Sequence, residues 1–337
     1  MNEPIPEIAP VEPATIAYKD RSTGLTIFGI LTLLLGSLCG LFVPLMLLGQ
    51  VAEASAAHAP TNTAALFPAI STYGVLAVAL IWLGIGSIMA RRWARALLLI
   101  FSWSWLSMGV FMMVAMVIFA PRLMAAIAAN PPKSQPELPQ GALTAMIVVI
   151  FVVFSVCFIL LPAIWTFFYS SRHVKATCEA RDSVTRWTDA CPLPVLGLSL
   201  WLLLTVPMLL IMPLAGLGVM PFFGMFLTGL PGSLMCVVLA AIWAWSAWRI
   251  YHLDVRGWWF ILAALVVFTV SAVLTYAHHD LIEVYRLVGY PEAQIEQIQK
   301  TGLLTGNLVN WLTAFCMLPF VGYLLFVKKY FPSRPPA

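Results

Sequence analysis

The stretch Phe167–Pro194, FFYSSRHVKATCEARDSVTRWTDACPLP, stands in the middle of a chain that is otherwise almost wholly apolar. Four apolar segments precede it and four follow. Each is near or above the roughly 20 residues that a helix needs to cross about 30 Å of hydrocarbon. The polar stretch therefore reads as a cytoplasmic hinge, residues 171–192, between two membrane halves, 23–170 and 193–329.

Composition agrees with this reading. Hydrophobic residues make up 61% of the chain, charged residues 9%, and the mean hydropathy is +0.94. A soluble domain carries roughly a quarter of its residues as charges, so the chain belongs in a bilayer. The expected spans are about 25–50, 71–90, 96–120, 142–169, 193–217, 232–251, 258–279 and 304–327, none with an acidic or basic residue in its central part. The fold class is all-α, a polytopic bundle of about eight transmembrane helices. Residues 1–22, rich in Pro and Glu, cannot bury enough apolar surface to order themselves and are expected to form a disordered cytoplasmic tail; 330–337 is expected as a second cytoplasmic tail. The run Leu25–Val51 is too long for a signal-peptide core of about 7–15 residues.

Lys and Arg set the orientation. Lys19, Arg21, Arg91, Arg92, Arg95, Arg172, Lys175, Arg181, Arg186, Arg249, Arg256, Lys328, Lys329 and Arg334 fall on one side, and Arg122, Lys133, Arg286 and Lys300 on the other. The positive-inside rule places both termini in the cytoplasm, with outer loops at 51–70, 121–141 and 280–303. Trp93, Trp187, Trp258, Trp259, Tyr169 and Tyr330 are expected as inner-interface anchors. The apolar, Gly- and Pro-broken stretch Gly218–Pro231 is expected to be a short interfacial helix, with a re-entrant segment or an early start of span six as the alternatives. The loop 282–302 is expected to be partly helical, over Pro291–Lys300, with Ile295 and Ile298 turned to the bundle and a counterpart at Leu123–Ala129.

The two halves resemble each other in order. Pro44 and Pro213, Arg91-Arg92-Trp93 and Arg256-Gly257-Trp258, and Leu161-Pro162 and Leu318-Pro319 recur in matching places. An even number of spans per half makes such repeats parallel. The Trp-Ala-Arg turn at 93–95 and the wording HVKATCEARDSVTRWTDACPLPVL resemble uncharacterised multi-pass inner-membrane proteins of bacteria. That resemblance implies a plasma (inner) membrane location and no particular activity.

Two constellations could carry chemistry. His278, His279 and Glu283 lie at the outer end of span seven, and on a continuing helix His279 and Glu283 are one turn apart, a spacing that suits a divalent metal. A helix cannot aim His278 and His279 at one ion, so a polar end cap is the plainer reading. In the hinge, Arg172, His173, Lys175, Cys178, Trp187 and Cys191 form the candidate interface. His173, Cys178 and Cys191 lack the close Cys pair of a structural zinc site, and the surrounding charges read as a solvated, self-paired surface. Gly36 and Gly40 make a small-xxx-small pair suited to packing within the chain. No phosphate-binding loop, metalloprotease helix or nucleophile elbow occurs. Neither a cofactor nor a nucleic-acid partner is called for; the lipid bilayer, and other membrane proteins, are the expected partners. The leading expectation is a non-enzymatic structural or accessory component of a membrane assembly. A permease for an uncharged or lipid-like solute is the alternative, and a membrane enzyme a more distant third.

Overall fold

The computed structural model describes residues 18–57, 63–129, 140–214, 218–290 and 306–331, with positions 292, 295, 296 and 299. The helices are α1 (Ser22–Ala57), α2 (Thr63–Ile88), α3 (Arg92–Ala129), α4 (Gln140–Ser155), α5 (Leu161–Ser170), α6 (Arg172–Arg181), α7 (Leu193–Leu214), α8 (Gly229–Tyr251), α9 (Val255–His278), α10 (Leu281–Val288) and α11 (Gly306–Lys328). Among the described residues, seven helical stretches are long and apolar enough to cross a membrane: Ser22–Ala52, Ala69–Ile88, Arg92–Ala120, Ala145–Ser170, Leu193–Leu214, Gly229–Tyr251 and Val255–His278. The chain is an all-α, multi-pass integral membrane protein.

The basic ends of the helices gather at one end of the molecule, where most of the core lies. Leu25, Leu83, Ala90, Leu98, Trp165, Tyr169, Val174 and Cys178 form the core of the first half. Cys191, Leu196, Leu198, Ile250, Trp258, Ile261, Leu324 and Val327 form that of the second. Helix α3 joins them. Its Ile100 packs against the second core, its Ser104 accepts the Trp201 indole N–H at 2.7 Å, and its Phe111 stacks on Phe315 at 4.9 Å.

Within the first half, α1 and α2 approach to backbone contact. A methyl on Gly29 would lie 2.9 Å from the Gly84 carbonyl oxygen, and one on Gly36 2.9 Å from the Ile81 amide nitrogen. Bare backbone at such a crossing lets apolar helices gain dispersion contacts that lipid would otherwise supply. Helix α1 also carries a polar relay to span four. The buried Tyr169 hydroxyl lies 2.7 Å from Ser87 Oγ, which donates to the Leu25 carbonyl at 3.0 Å.

Span four is continuous but not uniform. Val156–Leu160 between α4 and α5 is a π-helical turn, in which the Leu161 N–H bonds the Val156 carbonyl. Pro162 is the reason: it has no N–H for the carbonyl four residues back, that of Phe158. This carbonyl instead abuts Gly109 of α3, where any Cβ would collide with it. The turn from α2 to α3 and that from α8 to α9 are built alike. Ala90 (φ 52°) and Leu253 (φ 60°) sit in the left-handed region. Arg91 N–H reaches Gly86 O at 2.9 Å, and Asp254 N–H reaches Arg249 O at 3.0 Å, the six-to-one bond of a Schellman turn.

Several expectations are corrected. The segment 51–70, expected as a loop, is largely helix, because α1 runs to Ala57 and α2 starts at Thr63: the Ala-rich AEASAA contains no helix breaker. Leu123–Ala129 is no separate helix but the end of α3. Gly218–Pro231 forms a β-hairpin, Met220–Phe222 with Met225–Leu227, followed by an early start of α8 at Gly229. Its turn needs positive φ at Phe223 (41°) and Gly224 (97°), as primed hairpin turns do. Trp258 and Tyr169 are core residues, 1% and 0% exposed, not interface anchors. Tyr18–Arg21, placed in the disordered tail, are held against α6: the Lys19 amide lies 3.4 Å from His173 Nδ1 and the Arg21 amide donates to Thr177 Oγ1 at 3.1 Å. In the loop 282–302, α10 fills the first part, Glu292, Ile295, Glu296 and Gln299 are helical, and Ile295 is buried. Pro291 and Ile298 lie outside the described residues.

Gly109→Ala should lower the thermal midpoint of the purified protein, the overpacking costing about 1–3 kcal/mol. Gly74→Ala in α2, where a methyl meets nothing within 4 Å, should leave it unchanged or raise it slightly. Equal melting of both variants would show that the Phe158 carbonyl does not need Gly109.

Candidate functional site

The hinge is an ordered platform rather than a solvated loop. Ser171 leaves α5 with an extended ψ of 134°, which allows a fresh helix, α6, to begin at Arg172 and run to Arg181. Val174, Thr177 and Cys178 form the buried face of α6. Arg172 and Lys175 lie on its exposed face, with Lys175 Nζ 3.8 Å from Glu179. A single 3-10 turn, Trp187–Asp189, leads on to α7, and the Trp187 carbonyl accepts the Tyr251 hydroxyl at 2.9 Å. The platform is thereby tied to both halves.

Its electrostatic centre is Asp182, which the sequence reading left among surface charges. The side chain is only 2% exposed. One oxygen lies 3.7 Å from the Arg91 guanidinium; the other lies 3.7 Å from Arg186 Nε and accepts the Arg92 backbone N–H at 3.3 Å. Arg92 opens α3, so the carboxylate caps that helix from a distant part of the chain. A negative charge there meets unpaired N–H groups and the positive end of the helix dipole. Arg92 itself reaches Asp189 at 3.6 Å and Glu179 at 3.9 Å. Arg181 pairs with Asp20 at 3.4 Å, and hydrogen bonds from Ser22 hold the Asp20 carboxyl below its ordinary pKa.

The two hinge cysteines are divided between the cores, Cys178 in the first and Cys191 in the second. Burial pushes both thiols up to about 11; the nearby Arg95 charge pulls Cys178 the other way and is outweighed. At neutral pH both are protonated, weak as nucleophiles and as metal ligands. Trp187 is 46% exposed, in keeping with an interface ring.

At the opposite end, the His279–Glu283 pair forms by a route the sequence did not suggest. Helix α9 stops at His278, His279 is extended (φ −130°, ψ 140°), and α10 starts at Leu281. His279 Nδ1 still comes within 2.7 Å of Glu283 Oε2, while its Nε2–H donates to the Gly224 carbonyl at 3.0 Å. His278 turns back to its own helix, with Nδ1 2.9 Å from the Leu274 carbonyl. His279 continues a polar stripe on α9. Phe223 N–H donates to Ser271 Oγ at 2.9 Å, Gly224 N–H to Thr275 Oγ1 at 3.1 Å, and Ser271 Oγ–H to the Pro221 carbonyl at 3.1 Å. Ser271 and Thr275 on α9 and His279 just past its end recur every four residues, a signal present in the sequence. Both His279 nitrogens are engaged by the protein, and no group of three metal-type donors occurs among the described residues. The corner serves to hold a hairpin.

Comparison with protein-family models, with characterised proteins and with solved structures finds no match to the chain.

Asp182→Ala should destabilise the folded protein by about 2 kcal/mol, since the α3 amide loses its cap while the half-exposed arginines rehydrate; thermal unfolding measures it. Maleimide should label Cys178 and Cys191 slowly at pH 7 in the folded protein. The rate should climb as pH approaches about 11, where the thiolate forms, and rise at once on denaturation. Fast labelling at pH 7 would contradict the packing of both thiols.

Proposed function

We propose that the chain is a non-enzymatic accessory subunit of a membrane assembly, held in the plasma (inner) membrane by eight spans with both termini in the cytoplasm. The observation that carries this is span four. Its window has a mean hydropathy of 3.2, the highest of the seven, yet only 6% of it is buried within the chain, against 17–33% for the others. Val148, Val149, Ile150, Val152 and Val153 cover more than half of the helix circumference and are all exposed. A shallow apolar groove of about 310 Å³ runs along it, lined by Ile147, Val148, Phe151, Val152, Ser155 and Val156. The π-helical turn fixes this span against α3 at one place while its outer part contributes almost nothing to the core. Such a helix fits one that packs on a transmembrane helix of another protein.

The eighth span is α11, whose 23 residues reach about 34 Å. The orientation rests on the gathering of Lys and Arg at the platform end. A duplication is supported by the two Schellman turns, whose hydrogen bonds match residue for residue around Ala90 and Leu253. That register pairs Ala94 with Gly257, both at the tight crossing of the flanking helices, rather than Trp93 with Trp258.

Extraction into copolymer nanodiscs, without detergent, tests the role. The wild-type particle should exceed one 37.1-kDa chain by a second polypeptide in fixed ratio. Val148→Trp combined with Val152→Trp should release that polypeptide. A particle built of this chain alone, in one copy or several, refutes the accessory role.

A further inference from the structure

The platform end of the second half has a charge pattern unlike that of the first. Arg91, Arg92 and Arg186 are matched by Glu179, Asp182 and Asp189. At the second half, Arg249 engages Asp254 at 2.8 Å. Lys328 and Lys329 have no carboxylate within ion-pair distance among the described residues. They lie instead over rings. Lys328 Nζ is 4.9 Å from the centroid of Trp258 and 4.7 Å from that of Trp259; Lys329 Nζ is 4.0 Å from Phe326 and 5.1 Å from Tyr330.

A ring face attracts an ammonium through its quadrupole but takes none of its three N–H donors in a strong hydrogen bond. Two adjacent cations so held keep their donors for an acceptor outside the chain. Their supports are fixed: Trp258 is buried and its indole N–H donates to the Leu324 carbonyl at 2.8 Å, locking α9 to α11 directly below Lys328. On the bilayer side, Trp259, Phe260, Leu325 and Phe326 are 45–56% exposed and offer an apolar wall along the same two helices. Charge above and apolar wall below match an amphiphile whose head is an anion.

We propose that Lys328 and Lys329, seated on the Trp258–Trp259 and Phe326–Tyr330 rings, form a headgroup site for an anionic phospholipid of the surrounding leaflet. The phosphate oxygens accept from the two ammonium groups and the acyl chains lie along α9 and α11. Snorkelled lysines at the end of a span reach this depth anyway; what marks these two is that ring stacking fixes them while no carboxylate satisfies them.

The test uses the intact chain in a neutral detergent, read by thermal shift and by native mass spectrometry. Micellar phosphatidylglycerol should raise the midpoint and stay bound, while phosphatidylcholine and inorganic phosphate should do neither. Lys328→Gln with Lys329→Gln should weaken phosphatidylglycerol binding roughly 30-fold, the worth of two charges at a membrane surface. Lys328→Arg with Lys329→Arg should retain binding, and Lys175→Gln, which removes a hinge lysine paired to Glu179, should not alter it. Should the Gln pair fail to fold, wild-type retention of phosphatidylglycerol in 1 M salt decides, because screening within about 3 Å should abolish it. Equal response to phosphatidylcholine or inorganic phosphate, unchanged binding in the Gln pair, or retention in 1 M salt overturns the proposal.

Discussion

A backbone carbonyl or amide inside a bilayer has no water to bond, and the irregular places along the described spans answer to that fact. Pro162 strips the Phe158 carbonyl of its helical donor, and the helix answers with a π-helical turn and a glycine on the neighbouring span. The hairpin 220–227 pairs with itself, and its turn is completed by hydroxyls from α9 and the imidazole of His279 just past its end. The turns at Ala90 and Leu253 accept left-handed strain of about 1 kcal/mol each, and in return close a six-to-one bond that satisfies a helix-end carbonyl. In the hairpin and at Pro162, a side chain or a bare α-carbon receives the irregular backbone.

The charged platform obeys the same economy at the membrane surface. Its ion pairs are 3.4–3.9 Å long and mostly half exposed, so each is individually weak. Asp182 differs because it is buried and bonds backbone as well as side chains. Through it, the segment between the halves fixes the start of α3, the helix that both cores share. Position and burial, rather than the number of charges, make this the anchoring group of the platform.

Hydropathy was enough to read the class and most of the spans, because bilayer thickness imposes a length that composition reveals directly. It could not separate Trp258 from Trp259: adjacent identical residues, one sealed in the core and one facing lipid, differ only in helix phase. The platform differs from the solvated surface expected of it because α6 buries a face that is small and mixed, Val174, Thr177 and Cys178, partly against Leu25, Leu98 and Leu99, more than seventy residues away in sequence. The hairpin was missed because its residues are as apolar as a span and its turn lacks the Asn-Gly that usually marks one. The Ser271, Thr275, His279 stripe was legible in principle; its meaning required knowing what lay opposite. The His279–Glu283 proximity was anticipated, but on a helix that in fact breaks between them.

Two helices are much longer than a bilayer demands. At 1.5 Å per residue the 36 residues of α1 and the 38 of α3 reach about 54 and 57 Å, against about 30 Å of hydrocarbon. Both are pinned at the platform end, α1 by Asp20 and α6 and α3 by Asp182, so neither can slide to share its excess between the two sides. Tilt within a bundle absorbs only part of such a surplus. The remainder extends α1 and α3 past the hydrocarbon thickness at the end away from the platform.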